Sequence, residues 1–168
     1  APYASALPPA QRHPMAAKEM LEILDFADVE LHRATAPFTA GGTQYPAGST
    51  VIALAQPYGG FAKTMLEKQV YPDLRLFPGG PPKPPYDVTG HTLWMLMGVT
   101  VDKVDAPFEA PLELVKAVKP IATPAPARPK AAYLVGPESY GVFKLVTELQ
   151  KANVPTFRAA AAFDGHAP

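Results

Sequence analysis

Apolar residues recur at helical spacing from Pro14 to Ala27, where Met20, Leu21, Ile23, Leu24 and Ala27 fall on one side of a 3.6-residue repeat. Pro14 suits the first turn of that helix, because its missing N–H would be unpaired there anyway. Short apolar runs flank the helix and predict strands at Tyr3–Leu7 and Val29–Thr35. Gly41-Gly42 marks a turn. Thr43–Tyr45 and Thr50–Ala55 then read as a hairpin closed by Pro46-Ala47-Gly48, since proline presets φ and glycine accepts a positive φ. A second helix is predicted over Pro57–Gln69, with Phe61, Met65 and Leu66 inward. Asp87 is placed to cap a third helix, Val88–Met97, which Gly98 would end. Val99, Val101 and Val104 predict a last strand. Further on, Ala131–Val135, Tyr140–Ala152 and Val154–Ala160 read as strand, helix and strand, with Val142, Phe143, Leu145, Val146 and Leu149 as the helix's apolar positions. Strand–helix–strand order predicts parallel pairing. The expected class is therefore α/β: short mixed or parallel sheets flanked by helices, with flavodoxin-like β-α-β units.

Proline divides the chain. There are 22 prolines in 168 residues, against a usual frequency of about 5%. Six lie between Tyr71 and Tyr86 and six between Pro107 and Pro129. A residue without an N–H and with a fixed φ belongs neither in a central strand nor in a helix interior. The first cluster reads as a surface loop anchored by Tyr71, Leu74, Leu76, Phe77 and Tyr86. The second ends in KPIATPAPARPK, an extended linker. The expected organisation is an accessory α/β domain over 1–118 (β-α-β-hairpin-α-α-β), a proline-rich linker over 119–130, and a truncated second β-α-β unit over 131–168.

The two parts share a repeat. LDFADVELHRATAPF (Leu24–Phe38) aligns without gaps on LQKANVPTFRAAAAF (Leu149–Phe163), with seven of fifteen positions identical and Asp28 beside Asn153. The pattern predicts partial internal duplication of a β-α-β-hairpin module. In the second copy the sequence reaches Asp164–Pro168 where the hairpin would begin, so the chain reads as a piece of something longer. A β-α-β piece cannot bury both faces of its own sheet. It is expected to lean on the first unit or a partner, and an unpaired edge could form a homodimer.

Charge changes the picture little. Fifteen basic and fifteen acidic residues cancel, so nothing electrostatic draws the chain to nucleic acid, and no apolar run reaches the roughly 18 residues that membrane insertion needs. Cysteine is absent, which excludes disulfides, thiolate ligands and cysteine nucleophiles. None of His13, His32, His91 and His166 sits in H-x-x-E or H-E-x-x-H. Asp87 and His91, four apart, could share a helix face, but a capping Asp beside an unrelated half-buried His explains them equally; no metal site is expected. Gly136-Pro137-Glu138-Ser139-Tyr140-Gly141 fails the G-x-S-x-G pattern, because Pro137 stands at the first glycine. Glu138 or Ser139 would then simply cap the next helix. Ligands nevertheless favour the carboxyl ends of parallel strands, which makes Gly136, Glu138, Ser139, Tyr140 and Gly141 candidate small-molecule contacts. The aromatics Tyr71, Phe77, Tyr86 and Trp94 would either line a peptide or sugar groove or glue the loop down; Tyr58, Tyr86, Asp87 and His91 are the candidate groove residues.

Two longer strings are more specific: TAPFTAGGTQYPAGSTVIALAQPYGGFAKTMLEKQVYPDLR (Thr35–Arg75) and GGPPKPPYDVTGHTLWMLMGV (Gly79–Val99). With their P-A-G, A-Q-P-Y, F-A-K, Y-P-D-L-R and P-Y-D-V-T-G runs, they resemble the region downstream of the catalytic domain in bacterial zinc carboxypeptidase-like proteins of the M14 peptidase family. The tail resembles a class I glutamine-amidotransferase-like, flavodoxin-like segment. The resemblance implies a secreted or periplasmic metallopeptidase as parent, with zinc held only in its upstream catalytic domain, and that domain as this segment's partner. No catalytic residue carries over, because the zinc ligands and the amidotransferase cysteine have no counterparts here. His91 stands where that group is expected to have Trp. The implied role is an accessory, non-catalytic segment; the alternative is a flavodoxin-like module that binds a peptide or small molecule.

Overall fold

The computed structural model describes residues 2–84, 90–118, 126–137 and 140–162. The chain divides into two units, 1–123 and 124–168, and each is described by itself.

The first unit is built on a five-stranded sheet. Its elements run β1 (Ala4–Leu7), α1 (Pro14–Phe26), β2 (His32–Ala34), β3 (Phe38–Ala40), β4 (Thr43–Tyr45), β5 (Thr50–Ala53), α2 (Gly59–Leu66), α3 (Leu93–Leu96), β6 (Asp102–Val104) and β7 (Leu112–Leu114). The strand order is β6-β1-β5-β2-β7, with β3 and β4 in a separate ribbon. Every ladder is antiparallel. The class is mixed α/β, as expected, but the expected parallel pairing is not what forms. β1 and β2 do run the same way on either side of helix α1. They do not touch, because β5 lies between them and pairs with both, Leu7 opposite Thr50 and Arg33 opposite Thr50. The β-α-β unit is split by an inserted antiparallel strand, so the described residues form no flavodoxin-like parallel ladder.

The hairpin also differs from expectation. β4 pairs with β3 across Gly41-Gly42, Ala40 opposite Thr43, and not with β5 across Pro46–Gly48. Both glycines have positive φ, 57° and 80°, which a two-residue turn of that hand requires. Pro46–Gly48 instead carries the chain back onto β2: the Gly48 N–H donates to the Ala34 carbonyl (2.8 Å) and the Ala34 N–H to Ser49 (2.9 Å).

Alternation along the strands sends side chains to opposite faces. Leu7, Leu31 and Ile52 join Ala16, Ala17, Met20 and Leu24 of α1 and Ala62 and Leu66 of α2 in one buried cluster. Ala4, Ala6, Ala34, Val51 and Val104 join Phe38, Ala40 and Tyr45 of the β3–β4 ribbon in the other. Phe38 stacks on Tyr45 (5.0 Å) and on Phe108 (5.4 Å). Phe61, expected inward, is exposed, and the small Ala62 takes the inner position of α2. The third helix is only Leu93–Leu96; the predicted cap Asp87 lies outside the described residues, while Gly98 follows the helix with φ 64°, as its terminating role requires.

Strand β7 was not expected among prolines. It is an edge strand, where proline is tolerated. Pro111 has no donor but keeps its carbonyl, which accepts from the Thr35 N–H (2.8 Å) and hydroxyl (3.1 Å).

In the second unit the described residues form one helix, α4 (Gly141–Lys151), and no strand. The predicted strands Ala131–Val135 and Val154–Ala160 form no strand and are largely exposed. No helix among the described residues is long and apolar enough to cross a membrane.

Candidate functional site

The strings Thr35–Arg75 and Gly79–Val99 organise backbone where they are described. Gln56 of A-Q-P-Y clamps Glu30 with both ends of its amide: Nε2 donates to the Glu30 carbonyl (3.1 Å) and to the Ala53 carbonyl (2.6 Å), while Oε1 accepts from the Glu30 N–H (2.6 Å). This side chain extends the β5–β2 pairing by one step where the backbone ladder ends. Gln11 does the same between the β1–α1 loop and Thr100, donating to the carbonyls of Pro8 and Thr100 and accepting from the Thr100 N–H (2.8 Å). Ser49, fully buried, donates to the Pro46 carbonyl (2.8 Å). Gly59 opens α2 so close to β5 that a Cβ there would sit 2.0 Å from the Leu54 carbonyl oxygen.

Arg75 of Y-P-D-L-R builds an arm from the first proline cluster. Its guanidinium donates to the Gly80 carbonyl (2.9 Å) and to the Asp73 carboxylate (2.9 and 3.1 Å). The Lys83 N–H donates to the Leu74 carbonyl (2.7 Å), and Arg75 bridges Pro82. The apolar residues expected to anchor this loop do not: Leu76 is 62% exposed and Phe77 61%, with Tyr71 and Leu74 also outward, and the neighbouring Val70 is exposed as well. Backbone hydrogen bonds and the Arg75 guanidinium hold the arm, and its apolar side chains face out. The remaining predicted anchor, Tyr86, lies outside the described residues.

The predicted groove residues are not assembled at one point. Tyr58 stands at the N-cap position of α2 without a side-chain cap bond and is exposed. His91 is half-buried and precedes Thr92, whose hydroxyl donates to the Glu67 carbonyl just past the carboxyl end of α2 (3.2 Å). The length of α2, about 12 Å at 1.5 Å per residue, separates those two ends. Tyr86 and Asp87 lie outside the described residues. Of the predicted loop contacts, Glu138 and Ser139 also lie outside them. Gly136 is exposed, Tyr140 occupies the cap position of α4, and Gly141 begins the helix. No strand forms among residues 131–137, so this loop does not lie at the carboxyl end of a parallel strand.

Sequence reasoning missed two cavities of the first unit. One, of about 190 Å³, lies beside α1 between Leu7, Leu21, Leu31 and Val115, with Lys18 and Arg33 on its wall. Lys18 is paired with Glu22. The other, of about 340 Å³, lies near Trp94, Val70 and Leu54, with Lys63, Lys68 and Lys103 around it. Lys63 pairs with Glu67, and Lys103 with Asp105. These linings come from four or more separate chain segments, so no local motif announces them.

The buried Nδ1 atoms of His13, His32 and His91 have no hydrogen-bond partner among the described residues. No group of three or more His, Cys, Asp or Glu among those residues is placed to hold a metal ion. The clearest electrostatic perturbation is structural: burial, followed by the charge and hydrogen bond of Asp102, raises the Tyr45 phenol above its ordinary range. Its hydroxyl donates to Asp102 at 3.1 Å. No family model matches the chain, and neither a curated protein nor a solved structure does.

Proposed function

We propose that this chain is an accessory, non-catalytic segment of a zinc carboxypeptidase-like metallopeptidase, acting outside the cytoplasm, that packs against the peptidase domain or positions its substrate. The observation that carries the reading is the Val70–Lys83 arm. Arg75 and the Lys83 N–H bond within the arm, while Val70, Leu74, Leu76 and Phe77 face outward. Several outward apolar side chains on one hydrogen-bonded arm suit a protein contact. The Gln56, Gln11 and Ser49 bonds support the same reading, because they use polar side chains of the chain for architecture and not for chemistry.

The test combines two measurements on the full chain. Metal content and release of C-terminal residues from peptides are followed before and after chelation and zinc addition; no release is expected. Binding to a separately produced peptidase domain of the M14 type is then measured by calorimetry for the natural chain and for Leu76→Asp/Phe77→Asp. Binding that the double substitution weakens at least tenfold supports the proposal. Zinc-dependent hydrolysis by the chain alone, or binding indifferent to both substitutions, overturns it.

A further inference from the structure

The helix-covered face of the five-stranded sheet is filled unevenly. Ser5 and Leu7 of β1 are two residues apart, so both point to that face. Leu7 is packed into the cluster with α1. Ser5 stands opposite Ile52 of β5 and Lys103 of β6, and its side chain is too short to fill the space above it. There lies the cavity of about 340 Å³, walled by Leu54, Leu66, Val101 and Trp94. A cavity of roughly 150 Å³ accepts a benzene ring, so this one has room for a ring with a short substituent.

Two features of the cavity point to a ligand. The first is its floor. Ser5 is only 5% exposed, and its hydroxyl has no hydrogen-bond partner among the described residues. An unpaired hydroxyl among apolar walls costs free energy, which an acceptor placed in the cavity recovers. The second is charge. Among the described residues that line the cavity, Lys63, Lys68 and Lys103 are opposed by one carboxylate, Glu67. Glu67 pairs with Lys63, and Lys103 pairs with Asp105 outside the lining. Lys68 forms no ion pair among the described residues. One cation is left over.

We infer that this cavity binds a small aromatic monocarboxylate. The ring lies against Trp94 and the aliphatic wall of Leu54, Leu66 and Val101, an arrangement that suits offset stacking on the indole. The carboxylate accepts a hydrogen bond from the Ser5 hydroxyl and answers the Lys68 ammonium. One negative charge matches the one unpaired cation. A phosphate dianion would find no second unpaired cation and no arginine fork among the described lining residues, and a cationic ring would meet three ammonium groups. Few polar groups within mostly apolar walls are the usual composition of a small-molecule site. The inference does not depend on the proposed peptidase association.

The test titrates the full chain with hydrocinnamate and follows both the fluorescence of Trp94, the single tryptophan, and the heat of binding. A saturable change with Kd below about 1 mM is expected, an ordinary affinity for a ligand of that size. Hydrocinnamyl alcohol, which lacks the charge, and propanoate, which lacks the ring, should each bind at least about tenfold more weakly. Lys68→Gln and Ser5→Ala address the two polar contacts, and a rise in Kd of at least about threefold from either supports the site. Ser5→Ala gives β1 the residue that already stands at positions 4 and 6, so the strand is kept, as an unchanged thermal transition would verify. Arg33→Gln, in the smaller cavity beside α1, should leave Kd unchanged. No saturable binding at about 10 mM hydrocinnamate overturns the inference. So does binding that leaves Trp94 fluorescence unchanged, equal affinity for the alcohol, or a Kd that neither Lys68→Gln nor Ser5→Ala alters. Loss of binding in Arg33→Gln alone also overturns it, because the ligand would then sit in the smaller cavity.

Discussion

Leu24→Ala and Leu149→Ala place the same truncation at equivalent positions of the two copies and should give very different results. Leu24 is fully buried within the cluster of Met20, Leu31 and Ile52. Removing three carbons forfeits roughly 2–2.5 kcal/mol of transfer free energy at about 0.8 kcal/mol per buried methylene. The site cannot collapse easily. Strands bound it on one side, and the carbonyl of Leu24 is held by the N–H groups of Ala27 (3.1 Å) and Val29 (3.0 Å) on the other. A residual cavity should bring the total to about 3–4 kcal/mol, inside the usual range for such truncations. For a unit of this size that corresponds to a fall in Tm of roughly 10–15 °C. Leu149 is only half-buried, and its loss should cost about 1 kcal/mol or less. Trp94 is the single tryptophan and packs against the Leu24 cluster, so its fluorescence in urea and thermal unfolding reports the first unit directly. A Leu24→Ala cost below about 1 kcal/mol, or a Leu149→Ala variant that shifts the Trp94 transition as far, would refute the reasoning.

Three further outcomes follow from named contacts. Gly59→Ala should lower stability by about 3 kcal/mol or more, because the new Cβ meets the Leu54 carbonyl oxygen at 2.0 Å and one of two backbones must move; a thermal melt unchanged within 2 °C would contradict this. Gln56→Ala leaves the Glu30 N–H and carbonyl without their clamp and should cost about 1–2 kcal/mol, with faster amide exchange at Glu30 as the local signature. Tyr45→Phe loses the bond to Asp102 and should cost about 1 kcal/mol at neutral pH. Since the folded phenol titrates above its ordinary value, the Tyr45 contribution is intact below about pH 10 and lost as pH rises further, where the unfolded chain ionises first. The stability gap between natural chain and variant should therefore shrink above pH 10, and a gap that widens there would reverse the sign of the argument.

Local pattern reaches only part of this molecule. Helix α1, the Pro14 start, the Gly41-Gly42 turn and the Gly98 terminator follow from spacing and backbone preference, which neighbouring residues settle among themselves. The repeat was also legible, down to the Asp28 and Asn153 positions that adopt the left-handed turn. Pairing was not. Whether β4 joins β3 or β5, and whether two strands flanking a helix touch or admit a third between them, depends on residues far apart in sequence. The ladder energy is similar for either choice, and burial of two opposite faces decides it. Leu112–Leu114 carries no strand signal between its prolines, because only the edge of a completed sheet makes a strand of it. The outward arm was misjudged for the same reason. Apolar residues between prolines look like anchors until the core is seen to be filled by Ala62, Leu66 and Met20, which leaves Leu76 and Phe77 nowhere inside to go.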